Sequence, residues 1–397
     1  MTRARSDLVP ANADGFYHCT TRCVRRAWLC GRDPVSGRDF DHRRGWIERR
    51  LAELAEIFAI SIWSYAVMSN HVHAVIEVRA EVARGWSAVE VAQRWLRLYP
   101  KPGPVETAVS ALAGNPDRIG QLRERLCSLS WVMKSLNEPI ARRANREDGC
   151  TGRFWEGRFD SQALLDEAAV LSAMAYVDLN PIRAGITDSL EGSRYTSIVK
   201  RIAALATQQP RESESLGASP SSQLSLGESL VTAAGSLSKG VGALAGEAVA
   251  SASDAARTDS QTVAGLPAAP GRTSQLSENT ARECSKTSEM PPDSLQAILG
   301  QPGSLVGTLS SRDYIQLVDL AGRDWHPGKR GRISGPPPAV LGRLGIAPDR
   351  WIDHVRAVKP KAGFYRAIGS EAALIDKAAA IGQRWLRGLS LARSLLR

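Results

Sequence analysis

The sequence predicts an α+β fold, an antiparallel sheet with helices on one face. Three observations predict it: a strand-like segment near the N-terminus, FYHCTTRCV; two short apolar strands joined by a turn within Ser61–Val78; and amphipathic helical segments before and after that pair. Their order along the chain is strand, helix, two strands, helix, strand. Such an order suits one antiparallel sheet whose connections cross a single face.

Each element has its own pattern. FYHCTTRCV is rich in aromatic and β-branched residues, which is typical of a strand. Residues 39–59 carry apolar side chains on one helical face and charges on the other, which predicts a helix. Residues 122–144 are a longer predicted helix. Residues 158–164 are predicted to form a strand that leads into one more helix.

The strand pair contains a His-x-His sequence, Asn70-His71-Val72-His73, directly after a turn at residues 68–70. Successive side chains of a strand point to opposite faces, so His71 and His73 project from the same face and Val72 from the other. Two imidazoles on one strand face are half of a divalent-metal site. A pair of strand histidines with local hydrogen-bond partners is the alternative.

The last helix of this region, Asp166–Asn180, has an acidic first turn and stops at Pro181. Its apolar residues recur at helical spacing, which predicts one buried face. Tyr176 and Asn180 are four apart and therefore neighbours on one side of the helix. A phenol and a carboxamide beside two imidazoles would combine a hydroxyl nucleophile with a third metal ligand, although Tyr176 also fits as a half-buried core residue.

Composition favours a polyanionic partner. The chain has 397 residues, a formal net charge of +10 and a pI of about 9.5, which favours nucleic acid or an anionic membrane surface as partner. No apolar run approaches the roughly 20 residues of a membrane span, and the N-terminus lacks the apolar core of a secretory signal. We therefore expect a cytoplasmic, nucleoid-associated protein with no membrane partner. The six cysteines include no Cys-x-x-Cys pair and are expected to be reduced thiols.

Composition also divides the chain into three parts. Residues 1–205 are patterned α and β and are predicted to be the catalytic domain. Residues 206–304 are rich in Ser, Ala, Gly, Gln and Thr, so they bury too little apolar area to offset the entropy of ordering and are predicted to be a disordered, flexible linker. Residues 305–397 regain amphipathic pattern and are predicted to form a small, basic, mostly helical C-terminal module.

Four segments in order resemble the single-tyrosine HUH transposases, in particular the insertion sequence 200-like and REP-associated tyrosine transposases. Three of them are NHVHAVIEV, GRFWEGRF and AYVDLNPIRAGI, and the fourth is the opening strand. The resemblance covers about residues 16–197 and implies a ferredoxin-like (RRM-like) core. By position it implies that Tyr176 is the nucleophile and that His71, His73 and Asn180 hold Mg²⁺ or Mn²⁺.

Arginines and aromatic residues near these motifs are the candidates for DNA contact. In GRFWEGRF the cations Arg153 and Arg158 alternate with aromatics, and arginine pairs with phosphate while Trp155 can stack on an unpaired base. Core packing is the alternative for Trp155. Arg142 and Arg143 end a helix, where cations also complement the dipole. Arg183, in the NPIRAGI motif, either closes the helix end or contacts phosphate.

These features predict a metal-dependent DNA strand transferase that cleaves and rejoins single-stranded, hairpin-bearing DNA through a 5′-phosphotyrosine intermediate. A DNA-binding protein of the same fold that does not cut is the alternative. A phosphotyrosine ester conserves the energy of the broken bond for a second transfer, so no ATP is needed. The sequence identifies no general base; His18, on the opening strand, either approaches the site or is a core histidine. Both a monomer and a homodimer fit the sequence.

Overall fold

The computed structural model describes residues 9–10, 13–24, 29–33, 36–208, 295–300, 309–324, 329–335, 348–358 and 367–395. Residues 1–210 and 289–397 belong to one compact unit. The predicted linker lies almost wholly outside the described residues. In the part of the chain that the structure describes, no helix is long and apolar enough to cross a membrane.

The predicted α+β fold is confirmed. Its core runs β1 (Gly15–Arg22), α1 (His42–Ile57), β2 (Ile60–Val67), β3 (His71–Val78), α6 (Leu129–Glu147) and β4 (Asp160–Leu164). These four strands are antiparallel neighbours in the order β2-β3-β1-β4. That is the strand order of a ferredoxin-like sheet, with α1 and α6 as its two crossover helices.

The sheet is covered on both faces, whereas the prediction placed helices on one. The crossover helices α1 and α6 pack on the first face, against side chains such as Tyr17, Ile62 and Ile76. The second face carries Trp63 and Val75 and is covered by further helices. These are α7 (Glu167–Asp178), α8 (Asn180–Arg183), α9 (Ser197–Gln208), α10 (Ser311–Arg323) and α11 (Pro348–Ala357).

Four helices that the sequence did not separate lie between β3 and α6. They are α2 (Ala80–Gly85), α3 (Ala88–Leu98), α4 (Val105–Ala113) and α5 (Pro116–Leu126). The helix predicted over residues 122–144 is therefore two helices. The chain leaves the first at Cys127, and the second begins after Ser128.

The C-terminal part contributes to the same sheet and the same core. Strand β5 (Leu299–Gly300) pairs with β2, and β6 (Ala367–Ile368) pairs in parallel with β4. Helices α12 (Glu371–Ala380) and α13 (Leu389–Leu395) follow. The linker boundaries need correction, because α9 extends to Gln208 and β5 lies before residue 304. The described residues after 304 thus pack with the first 210 residues as one unit.

Candidate active site

The two histidines of β3 lie side by side on the second face of the sheet. Their ring centroids are 4.8 Å apart, while Val72 between them is buried in the core of the first face. His73 is almost fully buried and His71 is half-buried. The two-residue strand period therefore places the imidazoles together as the sequence predicts.

A chain of polar contacts links Gln162, His18 and His73. His18 Nδ1 lies 3.5 Å from Gln162 Oε1, and a proton on this nitrogen would point to that acceptor. In that tautomer His18 Nε2 accepts from His73 Nδ1–H at 2.9 Å, and Thr20 Oγ1 lies 3.0 Å from the same His73 nitrogen. His73 Nε2 is left with the lone pair that a metal requires.

His71 has a similar neighbour. Its Nδ1 lies 2.5 Å from Asn70 Oδ1, so a proton on Nδ1 would be donated to this oxygen and would leave the lone pair on Nε2. Burial lowers the pKa of His18 to about 4. Burial first, and then the charges of His71, His18 and Lys329, hold the pKa of His73 well below its ordinary value. His18 and His73 are therefore neutral at pH 7, the form that binds a cation.

Helix α7 brings Tyr176 over this face. Asp166 caps the helix by accepting a hydrogen bond from the Ala169 N–H at 2.9 Å. The Tyr176 ring centroid lies 5.8 Å from those of both His18 and His73. Burial raises the pKa of the phenol to about 12, so the hydroxyl is protonated at neutral pH and needs assistance to act as a nucleophile.

Asn180 lies next to Tyr176 although helix α7 ends before it. The chain leaves α7 at Leu179 and continues in the short α8, where Pro181 occupies the first turn. The Asn180 side-chain N–H donates to the Tyr176 carbonyl at 2.9 Å. That bond orients the carboxamide and leaves its oxygen as the end able to bind a cation.

These residues line one cavity of about 260 Å³. The catalytic candidates His71, His73, Tyr176 and Asn180 all line it. So do residues that the sequence did not single out: Thr20, Arg22, Met68, Glu156, Gly157, Asp160, Ala184 and Lys329. The antiparallel register explains Thr20, which pairs with His73 and whose Oγ1 lies 3.0 Å from His73 Nδ1.

The donor chemistry of the three predicted ligands fits a divalent cation. Two imidazoles present Nε2 lone pairs, and the Asn180 amide N–H is bound to protein. Imidazole with oxygen ligands suits Mn²⁺ better than Mg²⁺. Among the described residues, no three His, Cys, Asp or Glu side chains come together in a group able to hold a metal ion. The predicted set depends on a carboxamide, which is outside those residue types.

The arginines predicted to bind DNA occupy different positions. Arg158 is exposed and lines the cavity. Arg153 is exposed, does not line it, and donates to the Glu156 carbonyl at 3.2 Å. Arg183 lines the cavity, but its guanidinium donates to the carbonyls of Asp324 and Ala321 at the end of α10. These contacts join α8 to the end of α10 and do not close the helix that carries Arg183.

The proposed base stacking of Trp155 needs correction. Its side chain is only 9% exposed and packs in the core of the first face, edge-on to Phe154. The indole N–H donates to the Asn137 carbonyl at 2.9 Å. A ring that is packed and hydrogen-bonded in this way does not present its face to a base.

Arg142 and Arg143 are remote from the cavity. They lie on α6, which covers the opposite face of the sheet, and they line a separate cleft of about 460 Å³. Arg142 pairs with Glu138 one turn earlier, and the Arg143 guanidinium stacks 3.8 Å from the centre of the Trp46 ring. Neither arginine lines the cavity that contains Tyr176.

Comparison with known proteins adds one structural likeness. No family model and no curated protein matches the chain. A solved structure of a REP-associated tyrosine transposase bound to a REP hairpin matches with 12% sequence identity and a TM-score of 0.32. The match covers 58% of this chain and all of the other. A likeness at this level supports neither a family nor a function, so the function is inferred from the site itself.

Proposed function

We propose that this protein is a metal-dependent DNA strand transferase, with Tyr176 as the nucleophile. The observation that carries the proposal is the placement of the Tyr176 phenol beside the His73 imidazole, in one cavity that His71, Asn180 and several cations also line. A core tyrosine would need no such neighbours. A hydrolase that uses water as nucleophile would need no phenol at this place.

In the proposed reaction the Tyr176 Oη attacks the phosphorus of a DNA phosphodiester. The Oη–P bond forms, the bond from phosphorus to the 3′ oxygen breaks, and the proton of the phenol is transferred to the leaving side, where the 3′ oxygen ends as a hydroxyl. The 5′ phosphate stays on the tyrosine. Attack by a second 3′ hydroxyl reverses these changes and rejoins a strand without ATP.

His71, His73 and Asn180 would hold Mg²⁺ or Mn²⁺. When bound, the cation would offset the negative charge that develops on the attacked phosphate. His18 and Gln162 would hold the His73 ring in the tautomer that keeps Nε2 available, and Asn70 would do the same for His71. Such partners orient the ligands before any cation arrives.

Single-stranded or hairpin DNA is the substrate that the motif resemblance favours. Arg158, which lines the cavity, and the nearby exposed Arg153 are placed to contact the DNA backbone. Arginine forks bind phosphate in two-bonded geometry. The proposed interface leaves out Trp155, which is buried, and Arg142 and Arg143, which line a separate cleft.

A second function, DNA binding without cleavage, is favoured by one observation. Burial raises the pKa of Tyr176 to about 12, and no carboxylate or imidazole is shown within hydrogen-bond distance of its hydroxyl among the described residues. A phenol that stays protonated is a poor nucleophile. The two functions differ in a covalent product, which makes them separable.

The test is a denaturing gel of purified protein with a hairpin DNA labelled either at its 3′ end or at its 5′ end, with Mn²⁺ or Mg²⁺. The proposal predicts a denaturant-resistant adduct that carries the 3′ label, and a shortened free strand that carries the 5′ label. Tyr176→Phe should abolish both. Tyr99→Phe, at an exposed tyrosine that lines the separate cleft with Arg142 and Arg143, is the matched control. Tight binding without adduct across several hairpins and both metals would favour the non-cutting protein.

A further inference from the structure

One cation of the cavity comes from the far C-terminal part of the chain. Lys329 is exposed, and it lines the same cavity as Tyr176, His71 and His73. It lies 153 residues beyond Tyr176 in sequence. An exposed ammonium that reaches a cavity from a distant segment is informative only if the segment is held there.

Close backbone contacts hold residues 329–335 against α8. The Arg330 N–H donates to the Arg183 carbonyl at 3.2 Å, and the Ile333 N–H donates to the Gly322 carbonyl at 2.9 Å. A Cβ added at Gly331 would lie 2.2 Å from the Ile182 carbonyl oxygen. The backbone therefore approaches α8 as closely as only glycine allows.

Side-chain contacts also hold the segment of residues 329–335 in position. The buried Ile333 belongs to the core of the second face, and its Cδ1 would lie 2.5 Å from a Cβ at Gly322. Arg183 on α8 donates to carbonyls at the end of α10. Helix α8 directly follows Leu179 and starts at Asn180, so the segment that carries Lys329 is fixed to the element that carries a proposed metal ligand.

We propose that Lys329 binds the phosphate that Tyr176 attacks. The inference rests on the proposed function and adds to it a residue that none of the motifs contains. Two other cations of the cavity already face protein groups: Arg22 forms an ion pair with Glu156 at 3.7 Å, and the Arg183 guanidinium donates to carbonyls. An ammonium is a compact point charge with three rotatable donors, which suits a phosphate oxygen in a small cavity.

The test compares Lys329→Gln with Arg332→Gln in the full-length protein. Arg332 is an exposed cation on the same segment that does not line the cavity, so its variant removes the same charge at a matched place. Two quantities are measured with labelled hairpin DNA: the single-turnover rate of adduct formation, and the slope of log binding constant against log salt concentration. Thermal unfolding of each variant shows that the fold is intact.

For Lys329→Gln we expect the adduct rate to fall roughly 10- to 100-fold, and the salt slope to lose about 0.7, the value for one phosphate contact on a single strand. Lys329→Arg should restore the slope. If the Lys329→Gln and Arg332→Gln variants have the same adduct rate and the same salt slope, the inference is overturned and the transferase proposal stays intact. A different result would overturn the cleavage proposal and keep the phosphate contact: the wild-type protein forms no adduct, and the salt slope falls in Lys329→Gln but not in Arg332→Gln.

Discussion

Removing one hydroxyl from α10 should destabilise the helix that carries the nucleophile. Tyr314 is fully buried, and its hydroxyl donates to Asp178 Oδ2 at 2.6 Å. Asp178 is the last residue of α7, two positions after Tyr176. It also accepts from the Ser197 hydroxyl and, at 3.1 Å, from the Ile198 N–H. Tyr314→Phe deletes one donor of this buried carboxyl and keeps the ring.

The expected loss follows from what the hydroxyl does. Burial raises the pKa of Asp178, while hydrogen bonds from Ser197 and Tyr314 and the charge of Arg201 lower it. Losing the Tyr314 donor therefore raises that pKa further and leaves a buried oxygen short of a partner. Hydrogen bonds to charged groups contribute about 1.5 to 3 kcal/mol, so we expect Tyr314→Phe to lower the free energy of unfolding by about that amount.

The assay is urea unfolding followed by tryptophan fluorescence, with Tyr99→Phe as the control. Tyr99 is exposed, so its variant should change the free energy of unfolding by less than about 0.5 kcal/mol. Asp178→Asn and the double variant complete a cycle that isolates the pair. A loss below about 0.5 kcal/mol for Tyr314→Phe, or separate unfolding of the C-terminal part, would refute the reasoning that residues 309–324 are integral to the core around α7.

Three further results are expected. Trp155→Phe should lower the free energy of unfolding by about 1 to 3 kcal/mol, because the part-buried Asn137 carbonyl loses its indole donor. The binding constant for hairpin DNA at fixed salt should not change; weaker binding would restore Trp155 to the DNA interface. Because burial raises the pKa of Tyr176 to about 12, the phenolate fraction grows roughly tenfold per pH unit below that value, so the single-turnover adduct rate should rise from pH 7 to 9; a flat profile would indicate an assisting base. His71→Ala should weaken Mn²⁺ binding at least roughly tenfold, as measured by electron paramagnetic resonance. His42→Ala, outside the cavity, should not weaken it, and equal Mn²⁺ affinities of the two variants would contradict the metal site.

The parts of the site that depend on local periodicity could be predicted from sequence. The strand period places His71 and His73 on one face, and four-residue spacing places Asn180 beside Tyr176. The order of strands and helices predicts the sheet, because an antiparallel βαββαβ chain has few ways to pack. Each of these inferences uses residues close in sequence or one dominant topological rule.

The remaining features depend on contacts between distant segments. Lys329 reaches the cavity only because a segment after residue 309 packs on α8, and composition alone does not reveal that packing. Alternating cations and aromatics are typical both of core segments and of surfaces that stack on bases. The sequence therefore left the position of Trp155 open, and the structure shows that it is buried. Arg183 likewise finds its carbonyl partners about 140 residues away. Long-range partners of this kind carry no local signal.

The central claim is that Tyr176 attacks DNA, and the most direct measurement identifies the residue that carries the nucleotide. The adduct is digested with nuclease and protease, and the peptides are sequenced by tandem mass spectrometry. We predict a 5′-phosphonucleotide on the peptide that contains Tyr176 and on that residue. A nucleotide on another side chain, or an adduct that persists in Tyr176→Phe, would contradict the account.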